Sequence, residues 1–98
     1  MLKSFGNDLA ELIYQGKPIP RKLIKQFPAE LVKKAGIQLD LLNRAVRIED
    51  LYFPPSNHFE SLSGDLAGHY SIQINRQWRI VFKWNDGSAE EVKIMDDH

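Results

Sequence analysis

The feature that most constrains this chain is a change of period at His69. Before it, apolar residues recur three and four apart; after it, they alternate one by one. Tyr70, Ile72 and Ile74 alternate with His69, Ser71 and Gln73, and Trp78, Ile80, Phe82 and Trp84 alternate with Arg79, Val81 and Lys83. Val92 and Ile94 resume the pattern after Asn85-Asp86-Gly87-Ser88, a strong hairpin-turn signal. Period-two alternation across successive turns describes an antiparallel meander with one buried face. Its register follows from burial. A two-residue turn at Asn75-Arg76 would set apolar residues opposite polar ones along the whole hairpin. A three-residue connection, Asn75-Arg76-Gln77, pairs Ile74 with Trp78 and gathers the even-numbered apolar residues on one side. That connection is expected to hold one residue at positive φ. The odd-numbered side, with Ser71, Gln73, Arg79 and Lys83, is expected to be polar and open.

The first half of the chain reads as helices. Leu2 to Phe5 suits a short strand, after which Asn7 or Asp8 can cap a helix carrying Leu9, Leu12 and Ile13 and stopped by Gly16. Pro18 and Pro20 break the chain ahead of a short turn over Arg21 to Gln26. Pro28 at a first helical position opens a longer helix with Leu31, Val32, Ala35, Leu39 and Leu42 as its apolar stripe. Ile48 to Tyr52 suits another helical turn, and Pro54-Pro55-Ser56-Asn57 forces an irregular crossing segment. The expected fold is therefore α+β: two or three N-terminal helices on one face of a small antiparallel sheet of three or four strands.

At 98 residues the chain is expected to be one domain, spanning 1–98, with one core. Ten aromatics and 43% hydrophobic content belong to a folded globule. Without cysteine there is neither a disulfide framework nor a thiolate zinc site, and the histidines lack metal-ligand spacing. No metal or other cofactor is expected. No apolar run approaches the length that spans a bilayer, and the first residues do not read as a signal peptide, so the expected location is the cytoplasm. The net charge of zero argues against indiscriminate nucleic-acid binding, yet it hides an asymmetry. Residues 1–51 hold nine Lys/Arg against six Asp/Glu; residues 52–98 hold four against seven. Between Lys17 and Lys34 lie six basic residues and one acid. A charge run of this kind is most often a solvated helical face; the sharper reading is a basic flank that meets structured RNA.

The last residues, Val92-Lys93-Ile94-Met95-Asp96-Asp97-His98, run a strand into two carboxylates and a histidine, the most versatile proton-transfer group available near neutral pH. Metal-free RNA cleavage needs a base for the ribose 2′-hydroxyl, cations on the phosphate and an acid for the departing 5′-oxygen. One candidate exists for each: Glu60 in the crossing segment, Arg79 on the open face, and His98 with Asp96 nearby to favour its protonated form. Gln73, Arg76 and Lys83 are the candidate RNA contacts. Strict alternation would send His98 to the buried side, so a bulge or turn is expected after Met95.

Phe53-Pro54-Pro55-Ser56-Asn57, Leu62-Ser63-Gly64-Asp65, Tyr70-Ser71-Ile72-Gln73-Ile74-Asn75, Gln77-Trp78-Arg79-Ile80 and the Val92–His98 ending strongly resemble HigB-type toxins of the RelE/ParE superfamily. The resemblance implies a RelE/ParE-like fold and a type II toxin that cleaves messenger RNA in the ribosomal decoding site. It also implies a partner antitoxin, usually a helix-turn-helix DNA-binding protein of the HigA kind. By position, Arg79 matches the family's phosphate-binding arginine, His98 its terminal histidine, Asp96 the acid before that ending, and Glu60 a proton-transfer position. Asp97 stands where tyrosine is usual and Ser63 where many relatives have lysine, and both changes make the site less cationic. Two alternatives stand beside this reading: a non-catalytic module on the same scaffold that binds an antitoxin, or a gyrase-directed inhibitor of the ParE kind.

Overall fold

The computed structural model describes residues 1–96. Helix α1 spans Asp8–Gln15, α2 Arg21–Ile24 and α3 Val32–Arg44; strands β1 (Glu60–Ser61), β2 (His69–Gln73), β3 (Trp78–Asn85) and β4 (Ser88–Asp96) come after them. The sheet is an antiparallel meander in the order β1-β2-β3-β4. The start of the chain lies beside β4, with Leu2 opposite Ala89 and Phe5 opposite Val92 in parallel sense. The α+β reading therefore holds: among the described residues there are three α-helices, four strands, and an extended N-terminal segment where a short strand was expected.

Local chemistry sets the helix limits. Asn7 is extended, and its Oδ1 accepts the Ala10 N–H as an N-cap; Gly16, at φ 69°, closes α1 in the left-handed region. Pro28 does not occupy a first α-helical position. It flanks a single 3₁₀ turn, Ala29–Leu31, and α3 begins one residue later. Its ψ of 130° is that of a residue outside the helix.

The helices cover the even-numbered side of the sheet. Ile72, Ile74, Ile80, Phe82, Val92 and Ile94 are buried against Leu9, Ala10, Ile13, Phe27, Ala35, Leu39, Leu42 and Leu51. Each large apolar side chain so enclosed contributes on the order of 2 kcal/mol relative to exposure. Trp78 meets Phe27 edge to face, with ring centroids 5.1 Å apart, so Trp78 and Phe82 belong to the core, as expected of apolar residues on this face.

The register of the first hairpin is the one burial requires. Ile74 N–H donates to the Trp78 carbonyl at 2.8 Å, and Gln73 faces Arg79. The expected positive φ is absent from Asn75-Arg76-Gln77. Instead Asn75 Oδ1 accepts the N–H groups of both Gln77 (2.9 Å) and Trp78 (2.8 Å), so a side chain closes the loop without a left-handed backbone. In the second hairpin Asp86 (φ 51°) and Gly87 (φ 75°) form the two-residue turn, with Asn85 facing Ser88.

The sheet bulges within β4; the bulge or turn expected after Met95, to redirect His98, falls at the very end of the chain. Pairing of β3 with β4 stays regular through Trp78 and Asp96, and the two residues beyond Asp96 lie outside the described residues. The irregularity lies between Val81↔Lys93 and Lys83↔Glu90, where Glu91 takes φ 50°. One extra residue in β4 lets Ala89 and Val92, three apart, both point inward.

Candidate active site

The odd-numbered face is not open around Arg79, although Gln73 and Lys83 on it stay partly exposed. Ser71 is fully buried, Val81 nearly so, and Arg79 is only 6% exposed. The covering comes from the crossing segment, which the sequence alone left unplaced. Asn57, itself buried, donates its amide N–H groups to the carbonyls of Leu51 (3.3 Å) and Phe53 (3.1 Å), pinning the segment to itself. His58 then adopts φ 44°, a left-handed conformation uncommon outside glycine that histidine adopts more readily than most residues, and the chain enters β1. Glu60 pairs with Ser71 and Ser61 with Tyr70, so the segment ends as an edge strand. The reason is one of polar satisfaction: a buried guanidinium needs acceptors, and this segment brings them.

Arg79 Nε donates to Ser71 Oγ at 2.8 Å, and Arg79 Nη2 donates to the His58 carbonyl at 2.8 Å. Glu60 Oε1 stands 3.9 Å from Nη2, the outer limit of an ion pair, and its side chain is 58% exposed. The nearest acceptors of this buried cation are thus neutral, while the carboxylate stays at arm's length and half in water. Such a guanidinium retains an attraction for a phosphate that a tight Arg–carboxylate pair would have spent. Of the expected site residues, then, Arg79 and Glu60 come together.

The others do not all gather with them, and Asp96, paired with Trp78, lies on the opposite, helix-covered side of the sheet. Gln73 lies directly across from Arg79, and its own carbonyl accepts Gln38 Nε2 at 2.7 Å. Arg76 is exposed at the hairpin tip. Asp96 lies opposite Trp78, and its Oδ2 accepts Gln77 Nε2 at 3.0 Å, which ties the end of β4 to the same hairpin. Lys83 is farther along β3 and forms a 3.0 Å ion pair with Glu91 at the bulge. That pairing holds the Glu91 carboxyl below its ordinary value, through the hydrogen bond from Lys83 first and its charge second. Asp50 is likewise lowered, by the backbone N–H groups of Arg47 and Val46 that it accepts at the start of the 48–52 turn. His98 and Asp97 lie outside the described residues.

Two groups at the site were not singled out from sequence. The His58 carbonyl is backbone, and no residue pattern marks it. Ser71 was legible in principle: once Ile74 is set opposite Trp78, Ser71 becomes the diagonal cross-strand neighbour of Arg79 on one face. Among the described residues no three His, Asp or Glu side chains group as a metal site, and no helix is long and apolar enough to cross a membrane.

A family model described as "RelE-like toxin of type II toxin-antitoxin system HigB" matches residues 3–98. The chain is 46% identical over 72 residues to Toxin HigB-1 of Vibrio cholerae, covering 74% of this chain and 75% of that protein. It is 26% identical along the full length of both chains to Endoribonuclease HigB of Proteus vulgaris. Among solved structures, a chain of the YoeB–YefM complex from Staphylococcus aureus superposes with a TM-score of 0.60 at 22% identity, covering 100% of this chain and 98% of that one, a likeness of fold.

Proposed function

The chain belongs to the HigB-like family of RelE-like toxins of type II toxin–antitoxin systems, and from that premise we propose that it is a ribosome-dependent endoribonuclease that cleaves messenger RNA without a metal. Glu60 is the general base that removes the 2′-hydroxyl proton of the ribose. The alkoxide attacks the adjacent phosphorus, and Arg79 stabilises the charge that builds on the phosphate oxygens. His98 gives a proton to the departing 5′-oxygen, so the products are a 2′,3′-cyclic phosphate and a free 5′-hydroxyl. Gln73, Arg76 and Lys83 flank this centre as RNA contacts.

The observation that carries this reading is the Arg79 environment: a cation held in the sheet by neutral acceptors, with a half-exposed carboxylate 3.9 Å away. A cation and a base so close, yet not fused into a tight pair, suit opposite ends of one phosphoryl-transfer step. The ribosome is the expected presenter of substrate, because a protein of zero net charge has little general hold on free RNA. The antitoxin partner follows from the family, and the likeness to a chain of the YoeB–YefM complex supports it. A helix-turn-helix, HigA-like antitoxin and a cytoplasmic site of action complete the reading.

Brief induction of the chain should arrest growth and produce new 5′ ends inside translated transcripts. His98→Ala should remove those ends. Induction without growth arrest, alongside a tight antitoxin complex, would instead favour the non-catalytic module that Asp97 and Ser63 point to.

A further inference from the structure

Arginine presents its donors as a rigid, planar fork, so which edge the protein occupies decides which edge a ligand can use. Here Nε and Nη2 share one edge, and both are taken: Nε by Ser71 Oγ and Nη2 by the His58 carbonyl, each at 2.8 Å. Among the described residues Nη1 enters neither a hydrogen bond nor an ion pair. The Ser71 hydroxyl cannot be replaced by solvent, because the residue has no exposed surface.

We propose that Ser71 is a positioning residue for the cleavage reaction: it holds the Arg79 guanidinium by Nε so that its Nη1 end is the donor offered to the scissile phosphate. This rests on the reading of Arg79 as the phosphate-holding group. Glu60 offers the guanidinium a competing acceptor. Among the described residues, Glu60 is the carboxylate within ion-pair range of it, at 3.9 Å. Removing the serine hydroxyl leaves a buried N–H of a charged group without an acceptor, and rotation toward Glu60 supplies one in the two-bonded geometry that arginine and carboxylate favour. Such a pair would quench the cation and the base together. Ser71 therefore also keeps the two apart.

The test is steady-state cleavage of a messenger on programmed ribosomes, with Ser71→Ala, Ser71→Cys, Arg79→Lys and the Ser71→Ala/Arg79→Lys double variant. Ser71→Ala should lower kcat about tenfold, the scale of one lost hydrogen bond to a charged group, and leave KM for the programmed ribosome unchanged. Ser71→Cys, a weaker acceptor of similar size, should fall between. In the Arg79→Lys background, which has no Nε–H to hold, Ser71→Ala should cost nothing further. In the free protein, the Arg79 Nε–H resonance should exchange slowly with solvent in the parent chain and fast in Ser71→Ala. Full kcat in Ser71→Ala, or an equal loss in the Arg79→Lys background, overturns the inference while leaving the proposed nuclease intact. A parent chain that does not cleave on ribosomes overturns the nuclease reading and this inference with it.

Discussion

Arg79 and Lys83 sit four residues apart on the same strand and the same face, yet they are treated in opposite ways. Lys83 is 44% exposed by side chain and grips Glu91 at 3.0 Å; Arg79 is 8% exposed, and its 2.8 Å contacts are a hydroxyl and a carbonyl, with the carboxylate farther off. At the Lys83 end two opposite charges cancel in water, where such pairs are worth little and are screened by salt. At the Arg79 end a charge is kept out of water without being cancelled. That arrangement is costly unless each donor finds an acceptor, and it leaves the cation free to act on a third party. Position on a strand therefore says little about the role of a cation; the acceptors the fold assigns to it say much more.

The sharpest way to break this contrast is Arg79→Ala. Cleavage on ribosomes should fall by about 10²–10³-fold, the usual consequence of removing one donor to a developing oxyanion. Stability should fall too, by about 1–3 kcal/mol in urea titration, because Ser71 and the His58 carbonyl lose their partner inside the fold. Lys83→Ala, assayed in parallel, should weaken RNA binding only severalfold and change kcat little, since an RNA phosphate must compete with Glu91 for it. Equal losses in the two variants would erase the distinction drawn between the two ends.

Next in size is Glu60→Gln, which keeps the shape and removes the base. A fall in kcat of about 10² or more, with thermal stability close to the parent, is expected. A loss of stability matching that of Arg79→Ala would mean that the 3.9 Å contact is structural and that Glu60 is not the base.

Two smaller effects test the Lys83 end. A Cβ at Gly6 would lie 2.8 Å from the Glu91 carbonyl oxygen, so Gly6→Ala must push the N-terminal segment off the bulge that shapes this end. A loss of about 1–3 kcal/mol by denaturant titration is expected, with cleavage unaffected under conditions where the variant is folded. The smallest effect is on acid stability. Because Glu91 is lowered in the folded state, its contribution is present above the ordinary carboxylate value and is lost as pH falls through the lowered one. Lys83→Ala should therefore flatten the acid limb of the melting-temperature profile slightly, and Asp50→Asn should do so independently through the 48–52 turn.

Much of the fold was legible because the relevant physics is local or periodic. Asn7 and Gly16 mark the ends of α1 by capping chemistry, Asp86-Gly87 marks the second hairpin by its tolerance of left-handed backbone, and Ile72, Ile74, Trp78, Ile80 and Phe82 mark the buried face by alternation. Burial alone selected the three-residue hairpin, although Asn75 closes it with a side chain where a positive φ was expected. The bulge at Glu91 was not legible, since Ala89 and Val92 break the alternation only when read against β3 and against the N-terminal segment that Gly6 lets approach.

What the amino-acid order determined by itself, then, was the sheet, its buried face and the shared side of Ser71, Gln73, Arg79 and Lys83, because side-chain period and turn chemistry act within a few residues. What only the tertiary structure decided was whether that side stays open. Residues 53–61 carry no periodic signal, and they reach Arg79 through a backbone carbonyl and an edge-strand carboxylate. The need of a buried guanidinium for acceptors is met across the chain, 21 residues from His58 and eight from Ser71, and contacts at that range leave no trace in local pattern.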